Sequence, residues 1–180
     1  MILPIVTFGH DVLRQKATPV PEVNEDVRQL VRDMLESMYA AKGLGLAAEQ
    51  IGRTESVCVI DVPKEAEKEE CREENAAIPM PLILINPEIT ATQGRQRNEE
   101  GCLSFPEIGA PITRADRVTV SFTDLDGNRQ TLSARGLLSR AIQHETDHLN
   151  GVLLVDRMSP LQRMSVSGQL KRLQKAAQTE

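Results

Sequence analysis

The sequence predicts an α+β fold with a mainly antiparallel sheet. Two observations support this: strand-like segments follow one another in the middle of the chain, and helical periodicity is concentrated near its two ends. A doubly wound fold would require strands and helices to alternate, which they do not. At 180 residues, the chain has the size of one domain, residues 1–180.

The first helix is predicted in "NEDVRQLVRDMLESMYAAKG", which begins at Asn24. Its apolar residues recur at intervals of three and four, acidic residues stand near the start, and Gly43 follows the end. The next stretch, "GLGLAAEQIG", is rich in glycine, so a backbone can approach another group closely there. Strands are then expected in "SVCVIDV" from Ser56 and in "LILINPEITA" from Leu82.

Residues 64–80 interrupt the sheet pattern and are called the charged segment below. Residues 64–74 alone hold six glutamates against three cations. We expect a solvated surface insertion, briefly helical at most, that takes no part in catalysis, with Cys71 exposed. The following "NEEGCLSFPEIGAP" contains two prolines and two glycines and is expected to be irregular.

The last third of the chain predicts a hairpin and two helices. "RVTVSFTDLDGNRQTLSA" alternates apolar and polar residues on either side of an Asp126-Gly127 turn. "GLLSRAIQHETDHLNG" then forms a helix that Gly151 can cap. Ser159-Pro160 is a good start for a C-terminal helix over residues 159–180.

Composition excludes several function classes. The formal net charge is -5, and aromatic residues are scarce, which argues against DNA binding and base stacking. No apolar run reaches the roughly 20 residues of a membrane span, and the N-terminus does not read as a signal peptide. Three cysteines without a CxxC pair argue against a disulfide framework. A cytoplasmic protein is expected, with Cys58 as a buried structural thiol.

"HETDH" places His144 and His148 one helical turn apart, with Glu145 directly after the first histidine. Residues i and i+4 share one helix face, so two imidazoles can hold one ion while the glutamate reaches a water beside it. Two ordinary surface histidines are the alternative. Catalytic sites of this kind usually use a third protein ligand. Cys102 in "EEGCLS" and Asp156 downstream are both open at this point.

Three motifs in the same chain, "GLGLAAEQ", "EGCLS" and "HETDH", resemble in order and separation the signature motifs of peptide deformylases. The similarity runs from "PIVTFGHDVLR" to about "LLVDRMSP". It implies that the sheet packs around the HExxH helix. It also implies a hydrolase that removes the N-formyl group from the initiating methionine of newly made proteins and releases formate.

The resemblance also implies the roles of individual residues. Cys102, His144 and His148 would bind one divalent ion, most simply Fe²⁺ in the cell, with Zn²⁺, Ni²⁺ or Co²⁺ also able to occupy the site. Glu145 would act as general base and then general acid. The Gln50 side-chain amide and the backbone N–H of Leu103 would stabilise the oxyanion.

The substrate pocket is expected at two places. Leu44 and Gly45 would lie beside the extended peptide, since a glycine permits close backbone approach. Leu137 and Ala141 share the helix face of the two histidines and would wall the pocket for the methionine side chain. The same face could instead pack into the core.

Three features leave alternatives open. Glu100 has a structural role in which either Arg114 or Arg140 is its partner, and Glu49 stands where many deformylases carry proline. The basic C-terminal helix could dock on the ribosome, or its cations could simply complement the helix dipole.

Two rival functions are a metalloprotease that uses Asp156 as third ligand and a non-catalytic binder of formyl-methionine peptides. Formylated initiation implies a bacterial cytoplasm or an organelle.

Overall fold

A computed structural model describes residues 1–180 and confirms the α+β class. Five α-helices and seven strands are present, joined by short 3-10 turns. The helices are α1 Glu25–Ala40, α2 Glu69–Glu74, α3 Gly136–Leu149, α4 Pro160–Ser165 and α5 Ser167–Ala177. The strands are β1 Gly45–Ala47, β2 Val57–Ile60, β3 Leu82–Gln93, β4 Gln96–Cys102, β5 Phe105–Arg114, β6 Arg117–Thr123 and β7 Arg129–Arg135.

Five of the strands form one antiparallel sheet in the order β1-β2-β3-β6-β7, and β4 pairs with β5 in a separate antiparallel ribbon. Strand β2 is buried on both faces because a helix covers each side of the sheet. Cys58 and Ile60 face the cluster that includes α3, whereas Val57 and Val59 face the cluster built on α1. The HExxH helix α3 is therefore central.

A third apolar cluster fixes the ribbon to the rest of the molecule. Buried residues of β5 alternate along the strand, and Phe105 stacks on Phe8 with ring centroids 5.0 Å apart. Leu153 and Leu154, which follow α3, complete this cluster. The ribbon contacts α3 through a hydrogen bond from Arg140 to the Ile112 carbonyl, and its end at Cys102 reaches the histidines of α3.

Three predictions about local structure are wrong. The stretch expected to be irregular forms most of β4 and β5. Pro106 and Pro111 are compatible with a strand there because both strands of a two-stranded ribbon are edge strands, which tolerate proline. The C-terminal helix is two helices, α4 and α5, separated at Val166. Cys71, expected to be exposed, is 3% exposed because α2 docks onto the start of α3.

Several other elements lie where the sequence pattern predicts them. The Asn24 side chain accepts a hydrogen bond from the Val27 N–H and begins α1. The hairpin of β6 and β7 turns at Gly127, whose φ of 84° lies in the left-handed region that glycine adopts readily. Ser159 and Gln162 form a capping box at the start of α4. No helix is long and apolar enough to cross a membrane.

Candidate active site

The side chains of Cys102, His144 and His148 converge at one point between the ribbon and α3. The Cys102 sulfur lies 3.3 Å from Nε2 of His148, which lies 3.2 Å from Nε2 of His144. All three donor atoms lie within 4.8 Å of one another. Tetrahedral coordination at about 2.0–2.1 Å puts two nitrogens roughly 3.4 Å apart, so this donor set fits one ion. The third histidine, His10, lies instead beside Glu180.

Glu100 orients the first of these histidines. Its carboxylate lies 2.8 Å from Nδ1 of His144, which leaves Nε2 facing the other two donors. Burial raises the pKa of Glu100, but hydrogen bonds from His144 and Arg114 outweigh burial and keep this pKa well below its ordinary value. Glu100 is therefore ionised at neutral pH and can hold the imidazole in one tautomer.

The sequence left two partners open for Glu100, and the structure has both. Arg114 donates two hydrogen bonds to the carboxylate, at 3.1 and 2.7 Å, and Arg140 donates one at 2.8 Å. All three side chains are at most 5% exposed. Arg114 also binds Asp147 on the last turn of α3. This buried network ties the ribbon to α3 next to the donor atoms.

The electrostatics of the two histidines suit a cation. Burial alone lowers the pKa of His144, but the Cys102 sulfur and the Glu100 carboxylate outweigh burial and raise it well above its ordinary value. Burial and the neighbouring His144 keep the pKa of His148 well below its ordinary value, so its imidazole is neutral, as a metal ligand must be. The raised pKa of His144 shows that the cluster attracts positive charge, which a metal ion would supply in place of the proton, while His148 is already a neutral donor.

Glu145 is buried beside these donors. Burial raises its pKa to about 7, and its Oε2 has no hydrogen-bond partner. The backbone of Gly45 runs directly past it, since a Cβ on Gly45 would lie 2.5 Å from Oε1 of Glu145. A carboxyl group with a pKa near 7 can both accept and return a proton at neutral pH. Only glycine leaves room for it at position 45.

Gln50 is fixed at both ends of its amide. Its Oε1 accepts from the Ala47 N–H at 2.9 Å, and its Nε2 donates to Ser104 at 3.1 Å. Nε2 also lies 3.6 Å from the Cys102 sulfur, so the amide points into the donor cluster. The backbone N–H of Leu103, just after Cys102, has no backbone hydrogen-bond partner. The Gln50 amide is thus an oriented donor at one end of the site.

An open cleft of about 480 Å³ contains the site. Leu44, Gly45, Leu137 and Ala141, the four residues predicted to contact substrate, all line this cleft together with Cys102, His144 and Glu145. The sequence analysis did not identify Arg140, Ile108 or Glu107 as lining residues, although all three border the cleft. The alternation of Ile108 with other buried residues of β5 was the available signal.

Asp156 does not belong to the donor cluster. Its carboxylate pairs with Arg14 at 2.5 Å and accepts the Leu153 N–H at 2.8 Å. The cluster that could hold an ion contains only Cys102 and the two histidines of α3. A metalloprotease site with an aspartate ligand therefore has no geometric support.

Glu49, next to Gln50, is a buried acid outside the hydrogen-bond network. Its side chain is 0% exposed, and neither carboxylate oxygen has a partner. Burial, helped by the Glu145 carboxylate, outweighs the favourable effect of the residue's own backbone N–H and raises the pKa of Glu49 to about 8. The side chain is therefore mostly protonated at neutral pH.

Comparisons with known proteins identify the family of this chain. A family model described as polypeptide deformylase matches residues 2–164. A peptide deformylase of Acidobacterium capsulatum is 47% identical over 178 residues, covering 99% of both chains. One of Rhizobium meliloti is 43% identical over 179 residues, covering 99% of this chain and 95% of the relative. The solved peptide deformylase of Ehrlichia chaffeensis superposes with a TM-score of 0.87 at 36% identity, covering 99% of this chain and 98% of that one.

The chain belongs to the polypeptide deformylase family. It is a hydrolase that removes the N-formyl group from newly synthesised peptides, as its resemblance to the family implied. The family consists of metalloenzymes, and this chain has a donor set that can hold a metal.

Proposed function

We propose that Cys102, His144 and His148 hold one divalent ion and that Glu145, Gln50 and Leu103 carry out the deformylation with it. The observation that supports this most strongly is the convergence of one sulfur and two imidazole nitrogens beside a buried glutamate. A divalent ion there would act as a Lewis acid and lower the pKa of a water molecule toward neutrality.

The protein groups have separate tasks in this proposal. Glu145 accepts a proton from the attacking water and passes it to the amine that leaves as the C–N bond breaks. The Nε2 of Gln50 and the N–H of Leu103 donate hydrogen bonds to the oxygen of the formyl group as it gains negative charge. Loss of one such donor typically lowers the rate about 100- to 1,000-fold.

The proposed pocket has two walls. Leu137 and Ala141 of α3 offer an apolar surface to the methionine side chain. On the other side, β1 is an edge strand of the main sheet, so the backbone at Gly45 can pair with an extended peptide. Leu44 is 38% exposed at the cleft and is placed to cover that peptide.

Fe²⁺ is the ion that we propose for the cell, with Zn²⁺, Ni²⁺ and Co²⁺ as possible occupants. A thiolate and two imidazoles suit all of these ions, and availability decides among them. We place the reaction in the bacterial cytoplasm, where formylated chains leave the ribosome.

The direct test is formate release from formyl-Met-Ala-Ser by protein purified without oxygen and loaded with Fe²⁺ or Ni²⁺. Glu145→Gln, which keeps the side-chain shape, should lower kcat at least about 100-fold with metal still bound. Cys102→Ser should weaken metal binding, whereas Asp156→Asn should not. The reverse result for the last pair would support an aspartate-ligated site, and metal-loaded wild type without activity would favour a formyl-peptide binder.

The C-terminal helices give a separate proposal, docking on ribosomal RNA. Lys171, Arg172 and Lys175 of α5 are exposed, as are Leu161 and Met164 of α4. Replacing the three cations by glutamate should weaken sedimentation with ribosomes and remove its salt dependence, while formate release from a free tripeptide stays unchanged. Equal, salt-independent binding of both proteins would leave these cations with a helix-dipole role only.

A further inference from the structure

Helix α3 begins without a cap of its own. Arg135 occupies the N-cap position but its side chain makes no capping hydrogen bond to the helix, and Gly136 has a φ of +68°. The first N–H groups of a helix have no partner within the helix and need acceptors from elsewhere. Here the acceptor is Glu67, in the charged segment: it accepts the Leu137 N–H at 3.0 Å and the Leu138 N–H at 2.7 Å. A carboxylate about seventy residues away thus does the work of an N-cap side chain.

The contact between the charged segment and α3 is close. The Asn75 side chain accepts the Arg135 N–H at 2.9 Å and donates to the Arg135 carbonyl at 2.9 Å. A Cβ on Gly136 would lie 2.6 Å from a Glu67 oxygen and 2.7 Å from the Cys71 sulfur. Glu67 is only 8% exposed. The charged segment is therefore packed against the start of α3, and the prediction that all of it is solvated is wrong.

The cap leads directly to the substrate cleft. The amide of Leu137 is bound by Glu67, while the side chain of the same residue lines the cleft. A second cavity of about 270 Å³ is lined by Glu67 and Cys71 of the charged segment and shares Leu137 and Arg140 with the cleft. Leu137 therefore separates the segment from the space that we assign to the methionine side chain.

We propose that Glu67 is a positioning residue for deformylation: its carboxylate fixes the first turn of α3 and so sets the Leu137 wall of the methionine pocket. This inference rests on the proposed function for the assignment of that pocket. Glu67 belongs neither to the donor cluster nor to the lining of the substrate cleft. Its effect on the reaction passes through the position of Leu137.

Substrate discrimination separates this role from a purely structural one. A loss of folded protein lowers kcat/KM equally for every substrate, whereas a displaced Leu137 affects only substrates whose side chain fills the pocket. Glu67→Ala should lower the ratio of kcat/KM for formyl-Met-Ala-Ser to that for formyl-Ala-Ala-Ser by about 10-fold, mainly through KM. Glu67→Gln should recover part of the ratio because its amide oxygen can still accept a hydrogen bond.

Glu65→Ala is the matched control, since Glu65 is an exposed glutamate of the same segment. It should keep the wild-type ratio. Amide hydrogen exchange gives a readout that does not need activity: the Leu137 and Leu138 amides should exchange faster in Glu67→Ala than in Glu65→Ala. Equal exchange in the two variants, or an unchanged ratio in folded Glu67→Ala, would overturn the inference. Metal-loaded wild type that releases no formate would instead refute the pocket assignment, and exchange would still report on the cap.

Discussion

Replacing Glu49 by glutamine should stabilise the folded protein, and the gain should grow as pH rises. The carboxyl group is fully buried with no hydrogen-bond partner, and its pKa is raised from an ordinary value of 4.5 to about 8. Between these two values the folded protein keeps the proton that the unfolded chain has lost. Stability therefore falls as pH rises through this range, by about 1.4 kcal/mol per pH unit.

The structure gives the size of the effect. A shift from 4.5 to about 8 corresponds to about 5 kcal/mol at and above pH 8, and to roughly 3 kcal/mol at pH 7. Below pH 4.5 the group is protonated in both states and contributes no pH dependence. Glutamine resembles the protonated acid in shape and has no charge to bury, so Glu49→Gln removes this penalty.

Urea unfolding of the metal-loaded protein at pH 5, 6.5 and 8 measures the prediction. The quantity to follow is the difference in unfolding free energy between Glu49→Gln and wild type, because the pH dependence of metal binding is common to both. The exposed Glu22→Gln is the control for loss of one carboxylate. A Glu49→Gln difference that stays constant from pH 5 to pH 8 would refute the reasoning.

Three further predictions concern the site. Gly45→Ala should lower kcat roughly 100-fold, because the added Cβ would displace the Glu145 side chain. Steady-state kinetics would measure the loss, and metal analysis should find the metal content unchanged. Glu100→Gln should weaken metal binding about 10- to 100-fold, measured by chelator competition, because His144 loses its orienting carboxylate; unchanged affinity would count against that role. Leu137→Asp should lower kcat/KM for formyl-Met peptides about 10- to 200-fold, and an intact value would remove Leu137 from the pocket.

Local patterns were enough to predict several elements of the fold. The first helix followed from its apolar spacing, the acidic residues near its start and Gly43 after its end, and the β6–β7 hairpin from alternation around Gly127. The ribbon of β4 and β5 was not predicted, because glycine and proline are typical of irregular structure. The buried alternation of Ile108, Ala110 and Ile112 shows that the strand signal was present.

Some residues of the site could likewise be predicted from local patterns, and others could not. The motifs identified Cys102 and the HExxH residues, since ligand type and helical spacing are properties of the sequence alone. Both partners of Glu100 and the burial of Cys71 depend on contacts between segments far apart in the chain. A run of charges predicts a solvated surface on average. It cannot show that one carboxylate of the run binds the first N–H groups of a distant helix.

Three buried glutamates show why partners, and not burial alone, decide what an acid contributes. Glu67 accepts two helix N–H groups, and Glu100 is held by two arginines and a histidine. Glu49 has no partner at all. Removing the charge should therefore cost stability at positions 67 and 100, where donors would be left unpaired, and add stability at position 49. Substitution of glutamate by glutamine is thus expected to lower the free energy of unfolding at positions 67 and 100 and to raise it at position 49. Measuring all three variants under one condition therefore separates buried carboxylates that have hydrogen-bond partners from one that has none.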